Sequence, residues 1–254
     1  MKLLFLGTGT STGVPQIACS CEVCKSQNPK DKRLRASVLI YDADTSILID
    51  CGPDFRQQML THDISSLSAI LFTHEHYDHV GGLDDIRPLG KAEIFAEKRV
   101  LKAIKRVMPY CFEENLYPGV PKIKLNEIFE NQRISIGKLN IEPIRVMHAE
   151  LPILGFKINN FAYLTDVKTI HESVIDQLKN IDILILNSLR QREHTTHLTL
   201  NQALQLVEKI KPKKTYLTHI GHEMGLHDEV NKQLPESVEL AFDGLCLMQK
   251  TEKK

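Results

Sequence analysis

The sequence predicts an α/β fold, and three observations support this prediction. Short apolar runs of the kind that form strands recur along the chain, and stretches with helical spacing separate several of them. With 254 residues, of which 42% are hydrophobic and 25% charged, the chain can bury a large core in one large domain or two small ones. Histidine or aspartate residues also follow several of the apolar runs, which predicts a polar edge where strands end.

The predicted strands are short segments bounded by turn residues. Residues 2–6 form the first strand, which ends at a Gly-Thr-Gly-Thr turn. Residues 37–41 and 46–49 flank a turn at 42–45 and form a predicted hairpin. The remaining strands are predicted at 69–72, 92–95, 139–147, 161–164, 181–186, 215–217, 238–242 and 245–248.

Four helices are predicted from the spacing of apolar residues. The first covers 54–60 and begins with Asp54, a residue type that caps helices. The second, 98–108, is amphipathic and basic, and two more at 168–178 and 200–209 lie between strands of the second half. No repeat or low-complexity tract interrupts this series, and a short charged tail closes the chain at 249–254.

A metal-ligand residue type follows each of five predicted strands. These residues are Asp50, His74, His148, Asp166 and His219, and each lies one or two positions beyond an apolar run. If the strands share one polarity in packed sheets, their ends meet at one edge. The sequence therefore predicts that these five residues lie close together.

The segment His74-Glu75-His76-Tyr77-Asp78-His79 contains four potential metal ligands in six positions. In an extended chain, residues two apart project to the same side, so His74 and His76 can hold one cation together. Asp78 and His79 come one turn later and can reach a second cation. Imidazole and carboxylate suit zinc, iron or manganese, and a catalytic ion needs an open position for water.

Cysteine spacing predicts a second kind of site. Cys19, Cys21 and Cys24 lie within six positions, which is typical of a metal clip in a reducing compartment rather than of a disulfide framework. Three thiolates can bind one zinc ion, and a closed structural site needs a fourth ligand. The other cysteines, Cys51, Cys111 and Cys246, are isolated and are expected to be buried as small hydrophobes.

The six-residue segment fits the HxHxDH signature of the metallo-β-lactamase superfamily, and the chain resembles that superfamily over nearly its whole length. The resemblance implies an αββα sandwich, in which two mixed β-sheets are flanked by helices, as a single domain over residues 1–254. It also implies that Asp50 hydrogen-bonds a ligand from outside the metal shell. The implied ligands are His74, His76 and His148 for the first metal, Asp78, His79 and His219 for the second, and Asp166 as the bridge.

Two subfamilies of the phosphodiesterase branch share the Gly-Thr-Gly turn and the metal motif. The tRNA 3′-processing endonucleases bind tRNA through a basic inserted arm, whereas this chain has no long basic insertion and carries 32 basic and 32 acidic residues. The phosphoribosyl 1,2-cyclic phosphate phosphodiesterases of the carbon-phosphorus lyase pathway are the more similar subfamily. They resemble this chain in length, in Gly13-Val14-Pro15, in the cysteine loop at about 13–30 and in residues 217–222.

That closer resemblance assigns roles to two further histidines. His222 is implied as the fourth ligand of the cysteine-bound zinc, and His227 is the alternative. His197 is implied to face the substrate phosphate, where it assists the leaving oxygen or stabilises charge, and His194 is the residue most easily confused with it. The expected catalytic residues are therefore His197, Asp78 and Asp166.

The expected function is hydrolysis of a small cyclic phosphate ester by two active-site divalent metals, zinc or manganese, beside one structural zinc. Two neighbouring cations lower the pKa of a water between them and polarise a phosphoryl oxygen. The open alternatives are an RNA hydrolase of the tRNA-processing type, a thioesterase of the glyoxalase type, and a non-catalytic metal-binding scaffold or sensor.

We expect a small phosphodiester as the partner, with neither nucleic acid nor membrane. A homodimer and a monomer both stay open. No apolar run reaches the length of a membrane span, and the apolar stretch before Gly7 is too short for a signal peptide, which predicts a cytoplasmic protein.

Overall fold

Two mixed seven-stranded β-sheets form the centre of the computed structural model, which describes residues 1–114 and 118–248. The predicted tail at 249–254 lies outside the described residues. The first sheet has the order β14-β1-β2-β3-β4-β5-β6 and contains β1 (Lys2–Gly7), β2 (Ser37–Asp42), β3 (Thr45–Ile49), β4 (Ala69–Leu71), β5 (Lys91–Ala96), β6 (Lys122–Glu127) and β14 (Cys246–Met248). The second has the order β13-β12-β11-β10-β9-β8-β7 and contains β7 (Ile134–Ile136), β8 (Leu139–His148), β9 (Leu151–Ile158), β10 (Phe161–Leu164), β11 (Ile183–Asn187), β12 (Lys214–Thr218) and β13 (Val238–Leu240).

The helices connect these strands. They are α1 (Glu22–Lys25), α2 (Phe55–Thr61), α3 (Tyr77–Val80), α4 (Lys98–Val107), α5 (Glu172–Leu178), α6 (Leu200–Ile210) and α7 (His227–Asn231). Segments of 3-10 helix lie at Pro29–Asp31, Leu83–Leu89, Pro109–Cys111 and His222–Met224. Helix α6 begins at a capping box, because the Thr199 side chain accepts from the backbone of Gln202 and the Gln202 side chain accepts from the backbone of Thr199.

Three apolar layers stabilise the fold. The inner faces of both sheets meet in one layer, where Phe5 and Ile47 of the first sheet share a cluster with Phe156 of the second. Helices α2 and α4 cover the outer face of the first sheet. Helices α5 and α6 cover the outer face of the second sheet. This arrangement is an αββα sandwich, and it confirms the fold class that the sequence resemblance implies.

Strand polarity brings the polar residues to one edge. Strands β3, β4 and β5 run parallel in the first sheet, and β10, β11 and β12 run parallel in the second. Strand β8 is antiparallel to β9, which is antiparallel to β10, so β8 and β10 point the same way. The carboxyl ends of these strands therefore lie together and carry the loops of the candidate site.

Several predicted elements differ in the structure. Strand β9 was not predicted, because Pro152 and Gly155 interrupt its apolar pattern. The helix predicted at 168–178 begins only at Glu172. The backbone of Lys168 donates a hydrogen bond to the carbonyl of Met147 on β8, so this segment pairs with the strand and does not form a helical turn. Cys246 is exposed on an edge strand, so the expectation that it is buried was wrong.

In the part of the chain that the structure describes, every helix is too short or too polar to cross a membrane.

Candidate metal centre

The histidine-rich loop leaves the first sheet after β4 and turns into α3. The ring of His74 is fully buried, and its Nε2 atom lies 3.0 Å from Nδ1 of His76. Gly52 packs behind this loop, where a Cβ atom would lie 2.0 Å from the carbonyl oxygen of Asp78. Only glycine permits that close approach, which sets the position of α3. His76 is exposed, so the site opens to solvent on its side.

Two clusters of potential ligands share one carboxylate. In each cluster the ligand atoms lie within 4.8 Å of one another, and Asp166 belongs to both. The Nε2 atoms of His74 and His79 lie 3.8 and 3.5 Å from Oδ2 of Asp166, and Nε2 of His219 lies 3.2 Å from Oδ1. The first cluster is His74, His76, His148 and Asp166, and the second is Asp78, His79, Asp166 and His219.

Three of the residues at this edge have left-handed backbone conformations. The φ angles of Asp50, Asp166 and His219 are 62°, 56° and 55°. Aspartate and histidine enter this region more readily than most residues, and such conformations concentrate at functional sites. The sharp bend directs each side chain across the strand ends, which explains why the ligands follow the strands so closely.

Asp50 orients two ligands from outside the clusters. Its buried carboxylate accepts a hydrogen bond of 2.7 Å from Nδ1 of His79 and two from Thr73, from the backbone N at 2.9 Å and from the hydroxyl. The Thr73 oxygen in turn accepts from Nδ1 of His74 at 2.9 Å. Both rings therefore present Nε2 to Asp166, the tautomer that a metal ligand needs.

His148 is oriented by the opposite loop. Its Nδ1 atom donates to the carbonyl oxygen of Thr196 at 2.9 Å, which leaves Nε2 free. His219 is held by the glycine-rich turn after β1, because the backbone of the next residue, Ile220, donates to the Thr8 carbonyl at 2.8 Å and accepts from Thr10 at 3.1 Å. Thr73 and Thr196 were not predicted as site residues, although they directly precede His74 and His197.

The donor set fits divalent cations. The Nε2 atoms of His79 and His219 are buried and have no hydrogen-bond partner among the described residues. An unpartnered buried nitrogen is costly unless a ligand occupies it. The carboxylates of Asp78 and Asp166 face these nitrogens at 3.2 Å in each case. Imidazole and carboxylate together favour zinc, manganese or iron, and the residues therefore suit two such ions.

Burial and neighbouring charges shift the pKa values of Asp166, His74 and His79. Burial opposes the charged form of Asp166, but His219 and His79 outweigh burial and hold its pKa well below the usual range. Burial, together with the charge of His79, lowers the pKa of His74 well below its usual value. Burial acts on His79 in the same direction, but the carboxylates of Asp166 and Asp50 raise its pKa above normal. Metal binding requires the ionised carboxylate and the neutral imidazole.

His197 lies against the shared carboxylate but belongs to neither cluster. Its Nε2 atom is 3.3 Å from Oδ2 of Asp166, and its ring stacks on that of His219 at 4.9 Å between centroids. Burial lowers its pKa to about 4. His194 lies behind it, with Nδ1 atoms 3.3 Å apart, and Lys168 donates to the His194 carbonyl at 2.6 Å. The structure thus brings His197, and not His194, to the clusters.

The cysteine loop forms a third cluster. The Sγ atoms of Cys19, Cys21 and Cys24 lie within 4.8 Å of one another and of His222. Nδ1 of His222 is 3.3 Å from the sulfur atoms of both Cys19 and Cys21. A tetrahedral zinc with Zn–S bonds of about 2.3 Å separates its sulfur ligands by about 3.8 Å, so the group fits a structural ion. The bond to His222 lowers the pKa of Cys21 to about 6, toward the metal-binding thiolate.

His227, the alternative fourth ligand, is used elsewhere. Its Nδ1 atom accepts a hydrogen bond of 3.0 Å from the buried guanidinium of Arg33, and its backbone donates to Asp31 at 2.7 Å. Arg33 also donates to the hydroxyl of Thr8 at 2.8 Å and to the carbonyl of Ala241 at 2.6 Å. This network joins the segment that follows the cysteine loop to α7 and to Ala241, and His227 belongs to it and not to the cysteine cluster.

Comparison with known proteins gives the same fold. The family model described as the beta-lactamase superfamily domain matches residues 45–220. A crystal structure described as a new diphosphatase from the PhnP family has a TM-score of 0.91, is 38% identical and covers 98% of both chains. The Zn²⁺-bound PqqB of Methylobacterium extorquens has a TM-score of 0.81 at 19% identity, and covers 98% of this chain and 100% of that one.

One curated relative has a name that differs from those of the two structural neighbours. The protein named octanoyltransferase in Porphyromonas gingivalis is 46% identical over 250 residues, which cover 96% of this chain. The match covers 51% of that protein, so this chain spans about half the length of this curated relative. The family match over residues 45–220 shows that the chain belongs to the beta-lactamase superfamily domain family, and the 38% identical neighbour shares its fold over 98% of both chains.

Proposed function

We propose that the protein is a metal-dependent phosphodiesterase that hydrolyses a small cyclic phosphate ester, such as a ribose 1,2-cyclic phosphate. The observation that carries this proposal is the pair of ligand clusters joined through Asp166. A phosphodiester has one negative charge and two ester oxygens, and a paired cation site suits both the attacked phosphorus and the oxygen that leaves.

The first cluster and the second cluster would each hold one divalent cation, Zn²⁺ or Mn²⁺, and the cysteine cluster would hold a structural Zn²⁺. When bound, the two active-site cations supply Lewis acidity to a phosphoryl oxygen and lower the pKa of water. Asp78 and Asp166 keep their negative charge in the site, because the neighbouring imidazoles hold the pKa of each carboxyl below its usual value.

We assign the proton transfer to the substrate to His197. The hydroxyl of Thr196 lies 2.8 Å from Nδ1 of His197 and can donate to it, which leaves the hydrogen on Nε2, the atom that faces Asp166. With a pKa of about 4 the free ring is neutral near pH 7 and donates a hydrogen bond. A phosphate oxygen beside Nε2 raises the pKa of the ring, which can then take up a second proton from solvent at Nδ1. Nε2 of the cationic ring passes its proton to the departing oxygen, and the ring returns to its neutral form.

The overall reaction consumes one water. One P–O bond of the cyclic diester breaks, the phosphorus gains the water oxygen, and the freed ring oxygen takes a proton. The product is a phosphomonoester with a neighbouring hydroxyl group. In this proposal Asp50 orients the ring of His79, and Asp78 and Asp166 supply negative charge to the cations. His197 donates the proton to the departing oxygen.

A second candidate is hydrolysis of a diphosphate. The 38% identical neighbour is described as a diphosphatase, and a diphosphate linkage presents the same kind of phosphorus to the same clusters. The name octanoyltransferase is not proposed for this chain, because half of that relative lies outside the match.

The test combines metal content with hydrolysis. The purified protein is expected to contain about three metal ions per chain by mass spectrometry and to hydrolyse bis(p-nitrophenyl) phosphate in a metal-dependent manner. Ribose 1,2-cyclic phosphate, a dinucleoside diphosphate and a tRNA precursor are then compared at equal concentration. We expect the highest kcat/KM for the cyclic ester. One metal or none, with no activity after reconstitution, would support the scaffold alternative instead.

A further inference from the structure

Lys168 lies two residues after Asp166, and its side chain extends to the loop that contains His197. The Nζ atom donates to the carbonyl oxygens of His194 at 2.6 Å and of His197 at 3.4 Å, and to Oε1 of Gln202 at 3.3 Å. A lysine ammonium has three donors, so each of them has an acceptor here. Fixing such a long, half-buried side chain costs conformational entropy, and the three neutral oxygens offset that cost by ordering the loop.

The loop that Lys168 contacts has no regular secondary structure. Residues 191–198 form neither helix nor strand, and both carbonyl groups bound by Lys168 lie within this range. The backbone of Leu198 donates to the carbonyl of Val167 at 3.0 Å, which fixes the end of the loop. Connecting segments are more mobile than helices and strands, because they lack regular hydrogen bonds. Lys168 therefore supplies hydrogen bonds that a helix or a strand would otherwise provide.

The backbone of Lys168 is fixed as well. It donates to the carbonyl of Met147 at 2.7 Å, directly before His148 on β8. The following residue also pairs with Met147, accepting from its backbone at 3.0 Å. Lys168 therefore joins three segments of the site, which are the end of β8, the bend at Asp166 and the loop of His197.

The two carbonyl groups that Lys168 binds flank a third one that serves the metal centre. The carbonyl oxygen of Thr196 accepts from Nδ1 of His148 at 2.9 Å. His197 follows directly, and its Nε2 atom lies 3.3 Å from Oδ2 of Asp166. Because Lys168 holds the loop before and after Thr196, it sets the position from which the ring of His197 acts. A displacement of about 1 Å in such a contact can lower a rate about 100-fold.

We propose that Lys168 is a positioning residue, which holds His197 where it can pass a proton to the departing oxygen of the substrate. This inference rests on the proposed function, because it acts through the proton transfer assigned to His197. All three donors of the ammonium are used by neutral oxygens of the protein, so none is left to bind a phosphate. A change at Lys168 should therefore affect only reactions in which the departing oxygen needs a proton.

Two leaving groups separate positioning from a general loss of structure. A sugar oxygen needs a proton to depart, whereas p-nitrophenolate departs as a stable anion without one. Lys168→Met removes the donors and should lower kcat for ribose 1,2-cyclic phosphate about 10- to 100-fold. Its kcat for bis(p-nitrophenyl) phosphate should stay within about threefold of the wild-type value, and KM should not change for either ester. The control Lys157→Met removes an exposed hydrogen bond of 3.1 Å to the carbonyl of Gln177 and should change neither rate.

A double-variant cycle tests whether Lys168 acts through His197. Residues that work as one unit give non-additive effects. Added to His197→Ala, Lys168→Met should therefore lower kcat for the cyclic ester less than about twofold further. A full additional loss in that background, an equal loss with both esters in the single variant, or no loss with the cyclic ester would overturn the proposal.

Hydrogen exchange distinguishes a failure of this inference from a failure of the proposed function. In the metal-loaded protein, Lys168→Met should speed backbone amide exchange over residues 194–199 about tenfold, as measured by mass spectrometry, and leave the rest of the chain unchanged. If the wild-type protein hydrolyses neither ester, the proposed function fails, and the exchange rates still decide whether Lys168 holds the loop. Unchanged exchange over 194–199, or equally faster exchange throughout the chain, would overturn the inference.

Discussion

The cysteine cluster and the histidine-aspartate clusters differ in how they are assembled. Three ligands of the cysteine cluster come from one six-residue segment, and only His222 comes from far along the chain. The histidine-aspartate clusters draw on the loops after β4, β10 and β12 and on the last residue of β8, and they share Asp166. The cysteine cluster is therefore mostly local in sequence, with one ligand from a distant segment. The histidine-aspartate clusters form only when both sheets have folded and packed together.

This difference indicates different functions. Four ligands of the type Cys₃His close a tetrahedral shell, so an ion held there contributes to stability and has no free position. The two histidine-aspartate clusters share a carboxylate and open to solvent at His76, so they can admit a substrate. Loss of the cysteine site should therefore change stability, and loss of the shared carboxylate should change the reaction.

The largest expected effect comes from removing the shared carboxylate. Asp166→Ala and Asp166→Asn should both lower kcat more than about 1,000-fold, because neither side chain supplies a negative charge to both clusters. Asn tolerates the left-handed backbone at this position, so Asp166→Asn should retain the circular dichroism spectrum and thermal midpoint more closely. Asp176→Ala, on the surface, is the control. Full activity in either Asp166 variant would contradict the paired-cluster mechanism.

A smaller effect is expected from Asp50, which hydrogen-bonds the ring of His79 from outside the clusters. Asp50→Asn keeps an acceptor for His79 but removes the charge that orients it, and should weaken metal affinity or activity about 10- to 100-fold. Activity measured against increasing metal concentration checks this, and excess metal should restore part of the loss. An unchanged metal dependence would mean that Asp50 acts only in packing.

Stability, rather than activity, should respond at the cysteine cluster. Cys21→Ser should release one zinc per chain and lower the free energy of unfolding by about 3 to 4 kcal/mol when the metal is well above its Kd. The kcat at a temperature where the variant is folded should change less than about threefold. Metal content and urea unfolding of Cys21→Ser are compared with Cys111→Ser, which changes an unrelated cysteine. A large fall in kcat with the zinc retained would reverse the roles assigned to the two regions.

The smallest effect concerns pH. Burial and the adjacent Arg33 lower the pKa of His227 from 6.5 to about 4, so the unfolded chain binds more protons between these values. Folding therefore disfavours protonation of His227, and the native state loses about 1 to 2 kcal/mol relative to the unfolded chain as the pH falls from 6.5 toward 4, after allowance for partial solvent screening. His227→Gln should show a shallower fall in urea stability than the wild-type protein over this range. Identical slopes would exclude His227 as a source.

Much of the fold and of the candidate site can be predicted from sequence because the signals are local. Asp50 and His74 follow apolar runs by one or two residues, and HxHxDH is a continuous motif. The missed elements lack such signals. The proline and glycine of β9 hide a buried strand, and the partners Thr73 and Thr196 are of a residue type too common to single out.

The sequence by itself determined the strand-then-ligand order, the histidine motif and the cysteine clip, because each depends on residues close together along the chain. Only the tertiary structure decided that His222 rather than His227 reaches the sulfur atoms, that His197 rather than His194 meets Asp166, and that α4 lies beside Glu75. These contacts span from 24 to 203 residues along the chain. They follow from how the two sheets and their helices pack, which no local pattern encodes.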